Sequence, residues 1–228
     1  MFKMSRYLSS DKLERQIMVS VLGLSEHDVD LVQQPARDDE GKVSDMGKRN
    51  RMFDIEKIYQ EFLLPPHAVD SLTAKFMEVF GEALERTDEI PPLAGNQDEE
   101  AEWATVNFYE WLKGNMFTAS TTAFLGSRVL ELNPDFARDF GVFDENMLKL
   151  VYGLPRILAR NGHEARDRLV DGATRWLEDA NTHGDVDSTE DWDPHFGSRF
   201  VREWEKMNRK AGLGAKSRAG IKVGLLFG

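Results

Sequence analysis

Residues 107–140 read NFYEWLKGNMFTASTTAFLGSRVLELNPDFARDF, and this stretch predicts a long helix, a tight turn and a second helix. Asn107 and Glu110 have the spacing of a capping box, in which each side chain can accept a hydrogen bond from the other residue's backbone amide. Between Phe108 and Ala123, apolar residues recur three and four positions apart. This periodicity predicts one continuous apolar face and therefore a long buried helix.

The second half of this stretch supplies the turn and the next helix start. Small residues at 119–123 allow another helix to approach closely, and Gly126 suits the left-handed position that follows a helix end. Asn133 and Pro134 have the order of an N-cap residue followed by proline at the first helical position. The sequence therefore predicts a helix that begins at Pro134.

Helical periodicity continues through most of the chain, while strand patterns are nearly absent. The predicted helices cover residues 9–21, a short segment from 25, 53–64, 68–86, 134–152, 163–180, 196–211 and a last one from 215. Only residues 103–106 suggest a short extended piece. Residues 35–51 are predicted to be a mobile loop, 87–100 an exposed connection and 181–193 an acidic loop. We therefore expect a mainly α fold with few or no strands, in a single domain over residues 1–228.

Composition excludes several classes of function. The net charge of −11 argues against nucleic acid as a partner. The chain has no cysteine, which excludes disulfides, thiolate nucleophiles and zinc–thiolate sites. No two of the five histidines have the spacing of a helix-face metal pair, and no catalytic constellation is present, so we predict neither a metal site nor catalytic residues. An apolar run long enough for a membrane span and a signal-peptide core are both missing, so an intracellular location is expected.

Several short motifs occur in an order that is typical of one enzyme family. They are Phe108-x-x-Trp111-Leu112-Lys113, Ala119-Ser120-Thr121, Ala123-Phe124-Leu125-Gly126-Ser127, Leu132-Asn133-Pro134-x-Phe136-x-x-Asp139-Phe140, Phe143-Asp144, Gly153-Leu154-Pro155-Arg156, Ala165-Arg166-Asp167 and 206–212 (KMNRKAG). Over about half of the chain, this order resembles the middle of a cytochrome P-450, a haem-thiolate monooxygenase. The branch that looks most similar contains the sterol 7α-hydroxylase-like and prostacyclin-synthase-like members.

The resemblance implies a partial domain made of the middle helices of that fold. It implies haem as the cofactor, an apolar small molecule as the substrate, and a reductase as the electron donor. Family members are often anchored in the endoplasmic-reticulum membrane, but this sequence contains no anchor. The family's chemistry depends on a cysteine thiolate bound to the haem iron. Because the chain has no cysteine, we expect it to be inactive on its own.

The last residues also fit a partial enzyme. Apolar residues crowd the end of the final predicted helix, at 221, 223 and 225–227, and no cap follows Gly228. In the resembled family, the long helix that crosses the distal face of the haem begins here. The expectation is therefore that the chain stops about two turns into that helix.

Three residues are candidates for site roles by resemblance. The family carries a tryptophan and an arginine, four residues apart, on a helix before a proline, but Glu56 and Gln60 occupy those positions here. Lys57 could instead reach a haem propionate, or it could be an ordinary solvent-facing helix lysine. Phe117 and Phe227 could line a substrate pocket, or they could simply be packing residues.

Two functions from different classes remain open at this stage. One is a fragment of a haem-dependent monooxygenase that acts on an apolar substrate. The other is a stand-alone helical interaction or scaffold protein without catalysis, which would need its apolar last residues to be covered.

Overall fold

A computed structural model describes residues 11–34, 52–86 and 107–227. Within these ranges the helices are α1 (Asp11–Ser20), α2 (Glu26–Gln33), α3 (Met52–Phe62), α4 (Pro66–Glu85), α5 (Phe108–Leu125), α6 (Arg128–Leu132), α7 (Phe136–Val151), α8 (Arg160–His183), α9 (Arg199–Lys210) and α10 (Ala215–Gly224). The strands β1 (Trp192–Asp193) and β2 (Gly197–Ser198) form one antiparallel hairpin. The predicted mainly α fold is confirmed. The segments predicted at 35–51, 87–100 and 103–106 lie outside the described residues.

Helix α8 is the centre of the packing. Its inward face carries small and large apolar residues in turn, including Ala165, Leu169, Ala173, Trp176 and Leu177. This face packs against α6, α7 and α10. Across the described part of the chain, no helix has the length and apolarity that crossing a bilayer requires.

Helix α5 is only partly buried, contrary to the prediction of a long buried helix. Its start is as predicted, because Asn107 Oδ1 accepts a hydrogen bond from the Glu110 amide at 3.3 Å. However, Phe108 is 65% exposed, whereas Ala119 is completely buried. Helix α5 packs on α4, which contains no fully buried residue and whose Val69 is 45% exposed. A helix that lies at the edge of the fold cannot bury a whole apolar face.

Asn133 has a different role from the one predicted. Helix α7 begins at Phe136, two residues after the predicted start, and Asn133 ends α6 instead of capping α7. Its buried side chain donates from Nδ2 to the carbonyls of Val129 (2.8 Å) and Gly172 (3.2 Å) and accepts from Arg175 at 2.7 Å. Asn133 therefore ties α6 to α8, a role that local sequence patterns do not reveal.

Two boundaries near the hairpin also differ from the prediction. The acidic segment predicted as a loop over 181–193 is helical up to His183 and ends in β1. Within its last helical turn, Thr182 Oγ1 donates to the Glu178 carbonyl at 2.9 Å. Helix α9 begins at Arg199 instead of residue 196, because Gly197 and Ser198 pair with β1. Ser198 then caps α9 by accepting from the Val201 amide at 3.4 Å.

The hairpin touches the end of α5 through two glycines with positive φ. Gly126 has φ +88°, and a Cβ there would lie 2.3 Å from the Pro194 carbonyl oxygen. Gly197 has φ +69°, and a Cβ there would lie 2.2 Å from the Phe124 carbonyl oxygen. Any side chain at either position would collide with backbone, so this junction requires both glycines.

Substituting Gly197→Ala should therefore destabilise the fold by about 3 kcal/mol or more, because it combines backbone strain with a steric collision. The matched control is Gly114→Ala in the interior of α5, where a Cβ would meet no atom within 4 Å. That change should raise stability by roughly 0.5–1 kcal/mol, since alanine is the better helix former. Chemical denaturation of the two variants measures both effects, and equal stabilities would contradict the packing described here.

Candidate ligand-binding cleft

An apolar cleft of about 450 Å³ lies between the first helices and the last two helices of the chain. Its lining residues are Glu14, Ile17, Met18, Leu22, Leu24, Val32, Ile55, Tyr59, Trp204, Met207, Asn208, Ala211, Leu213, Ile221, Gly224 and Leu225. The cleft is thus built from α1, α2, α3, α9 and α10. Its volume lies within the range of pockets that bind small molecules, and most of its lining is apolar.

Two glycines allow α10 to approach the chain between α1 and α2. A Cβ on Gly220 would lie 1.9 Å from the Leu22 carbonyl oxygen, and one on Gly224 would lie 2.7 Å from the Leu22 side chain. The spacing of four residues places both glycines on one face of the helix. This close contact orients Ile221 and Leu225 so that they contribute to the cleft wall.

An aromatic group forms the opposite side of the cleft. The Tyr59 ring of α3 lies 4.9 Å from the ring of Phe200 and 5.9 Å from that of Trp204, both in edge-to-face geometry. Trp204 is only 7% exposed. Burial raises the pKa of the Tyr59 phenol, so its hydroxyl stays neutral in an apolar setting. These rings fix α3 on α9 and give the cleft a rigid wall.

A buried charge cluster lies behind this wall. Glu205 and Lys222 are both completely buried, and their charged atoms are 3.6 Å apart. Glu205 Oε1 also lies 3.0 Å from Arg209 Nε and 3.3 Å from Arg218 Nε. One anion therefore faces three cations, and the Lys222 ammonium also lies 5.1 Å from the Trp204 ring. Burial lowers the pKa of Lys222 from 10.5 to about 8, while Glu205 partly opposes this effect.

The lowered pKa of Lys222 predicts that the free energy of unfolding rises with pH. Between pH 8 and 10.5, the unfolded chain binds more protons at Lys222 than the folded chain does, so the free energy of unfolding increases with pH. The full effect corresponds to roughly 3 kcal/mol. Lys222→Met should abolish this part of the pH dependence, whereas Lys216→Met, at a largely exposed position of the same helix, should keep it. Urea denaturation at pH 7.5, 9 and 10 measures the slopes, and identical slopes in both variants would contradict this account.

The three predicted site residues lie outside this cleft. Lys57 is on α3, but its side chain is 72% exposed and its ammonium lies 3.8 Å from Glu61. Phe117 and Phe227 meet through Phe140, whose ring lies 4.6 Å from the first and 4.8 Å from the second. This aromatic group joins α5, α7 and the residues after α10. The roles of Lys57, Phe117 and Phe227 in haem or substrate binding stay predictions.

The cleft residues were not found from the sequence as a site, although some local signals were present. Trp204 and Met207 are three positions apart within the predicted helix over 196–211, and Gly220 and Gly224 have the spacing of a close helix contact. The cleft itself depends on distant segments, because Ile17 and Leu225 belong to opposite ends of the chain. Local periodicity cannot show that such residues face each other.

The residues present do not fit a haem-thiolate centre. The chain of 228 residues contains no cysteine to supply the axial sulfur. In the described ranges, no group of three or more histidine, aspartate or glutamate side chains is placed to hold a metal ion. The cleft walls can surround an apolar molecule, but they contain no cysteine thiolate, which is the axial ligand of a haem-thiolate centre.

Similarity to curated proteins points to one class of enzyme, the monooxygenases named cytochrome P450. The chain is 25% identical, over 98% of its length, to the cytochrome P450 monooxygenase calL of Penicillium decumbens. Over 49% of its length, it is 31% identical to fsoE of Humicola fuscoatra and 25% identical to efuG of Hormonema carpetanum, both also named cytochrome P450 monooxygenases. No family model matches the chain.

The chain is much shorter than these relatives. The matched region spans 41% of calL, 20% of fsoE and 21% of efuG. The chain is therefore similar to part of a monooxygenase. The described residues of this part are mainly α-helical.

Proposed function

We propose that this chain is the substrate-binding helical part of a haem-dependent monooxygenase, and that its cleft accepts an apolar small molecule. The observation that carries the proposal is the apolar cleft of about 450 Å³, in a chain whose curated relatives are monooxygenases. Packed aromatic and aliphatic walls bind such a molecule mainly by removing its surface from water.

The residues present indicate which roles in such an enzyme this chain can have and which it cannot have. The walls from α3, α9 and α10 would orient the substrate and exclude water. The chain supplies no thiolate, so we assign no step of oxygen chemistry to its own residues. By the same resemblance we infer a reductase as the electron donor, an intracellular location and a relationship to the sterol 7α-hydroxylase-like and prostacyclin-synthase-like branch.

The proposal predicts that this chain alone forms no haem-thiolate complex. After addition of haemin, reduction and exposure to carbon monoxide, the absorption spectrum should lack the Soret shift that a thiolate ligand produces. The physical reason is the absence of any sulfur anion. A thiolate-bearing haem protein treated in the same way provides the positive control. A thiolate-type Soret band from the chain would contradict the proposal that this chain binds substrate but supplies no haem ligand.

The cleft itself can be tested with the neutral apolar dye Nile red. Ala211→Phe places a large ring in the cleft and should weaken dye binding about tenfold, since it occupies volume that the dye needs. Ala83→Phe, at a half-buried position on α4 away from the cleft, is the matched control and should bind as the unchanged chain does. Fluorescence titration gives the dissociation constants. Equal weakening by both substitutions, or by neither, would contradict binding in the cleft.

A further inference from the structure

The starts of α2 and α10 meet inside the protein, although they lie near opposite ends of the chain. Asp28 of α2 is 6% exposed and Ser217 of α10 is 3% exposed. Ser217 Oγ donates a hydrogen bond to Asp28 Oδ2 at 2.5 Å, across a separation of 189 residues. A buried contact between two polar side chains therefore joins α2 directly to α10.

The start of α2 uses a hydrogen bond that α10 supplies. Ser25 is the N-cap of α2, and its hydroxyl accepts from the Asp28 amide at 3.1 Å, which is one arm of a capping box. In an ordinary capping box, the Asp28 side chain would accept a hydrogen bond from the Ser25 amide in return. Here that amide donates to Ser217 Oγ at 3.3 Å. The second arm of the box therefore comes from α10.

The start of α10 depends on Asp28 in the same way. Its N-cap residue, Gly214, has no side chain that could cap the helix, and its amide donates to Asp28 Oδ1 at 3.4 Å. Burial by itself would raise the pKa of Asp28, but the hydrogen bonds from Ser217 and the other partners outweigh burial and hold this pKa below its usual value. An ionised carboxylate therefore lies at the positive end of the α10 dipole.

Both helices contribute to the walls of the cleft. Val32 of α2 and Ile221 of α10 line it, and so does Leu213, in the turn just before α10. The four residues of the mutual cap, Ser25, Asp28, Gly214 and Ser217, are not among the lining residues. They can therefore affect a ligand only through the position of α10 relative to α2.

We propose that Asp28 and Ser217 are positioning residues for the cleft, which hold α10 against α2 at the spacing that an apolar ligand requires. The proposal rests on the function proposed for the cleft, and it assigns neither residue a contact with the ligand. Because both residues act through one contact, loss of either should have the same effect on binding.

Nile red titrations of Asp28→Ala, Ser217→Ala and the double variant test this shared role. Each single substitution should weaken dye binding about tenfold, since each leaves a buried polar group without its partner. The double variant should bind the dye no more weakly than the single variants do, because residues that act through one contact are not additive. A hundredfold weakening in the double variant, or none in the single variants, would overturn the proposal.

Asp139→Ala is the matched control for a general loss of stability. Asp139 is also 6% exposed, and it pairs with Arg168 at 2.9 Å between α7 and α8, away from the cleft. This change should lower the resistance to urea but leave dye binding unchanged. Asp28→Asn keeps an acceptor oxygen for Ser217 and should recover most of the affinity that Asp28→Ala loses. Equal loss of dye affinity in Asp28→Ala and Asp139→Ala would contradict a positioning role.

A distance measurement separates this proposal from the one for the cleft. Because the chain has no cysteine, Gln34→Cys and Ala215→Cys create two labelling sites, at exposed positions just after α2 and at the start of α10. Spin labels at these sites should give a narrow distance distribution by pulsed electron paramagnetic resonance. Asp28→Ala should broaden and lengthen this distribution, whereas Asp139→Ala should not.

An unchanged distance distribution in Asp28→Ala would overturn the positioning role, whether or not the dye binds. A broadened distribution in Asp28→Ala, together with no dye binding to the unchanged chain, would support the positioning of α10 and contradict only the function proposed for the cleft.

Discussion

The backbone of the hairpin packs directly against the backbone at the end of α5. The other contacts of the fold depend on this close approach. Gly126 and Gly197 permit this approach, and Trp192 Nε1 then donates to the Thr122 carbonyl at 3.1 Å. Trp176, in the middle of α8, donates to the His195 carbonyl at 2.6 Å. The completely buried Arg202 of α9 donates to the Gly197 carbonyl at 2.7 Å and to Asp193 at 3.1 Å. The hairpin therefore joins α5, α8 and α9 through buried, directional bonds that require one geometry.

The cleft is a consequence of this junction. Once the hairpin sets the start of α9, the aromatic contacts of Phe200 and Trp204 fix α3 against it. The buried Glu205 then holds α10 through Lys222, and α10 closes on Leu22 through its two glycines. Pairing a buried charge offsets part of the cost of removing it from water, so this cluster is not by itself a source of net stability. Among the described residues, the walls from α1, α2, α3, α9 and α10 enclose an apolar space of about 450 Å³.

Local signals in the sequence were sufficient for the helices and several of their ends. Asn107 and Ser25 cap helices as their spacing indicates, and Gly153 ends α7 with a positive φ. Burial was less predictable, because the periodicity of α5 could not show that Phe108, at its start, is 65% exposed. The prediction that Asn133 caps α7 was wrong for a similar reason, because its side chain bonds to the Gly172 carbonyl of α8 instead. The cleft required contacts between the two ends of the chain, which no local pattern contains.

The most direct test of the account is a crystal structure of this chain grown with Nile red. The account predicts electron density for the dye between α3, α9 and α10, in contact with Trp204 and Leu225, with the hairpin unchanged on α5. Density for the dye elsewhere only, or a cleft closed by movement of α10 onto α3, would contradict it.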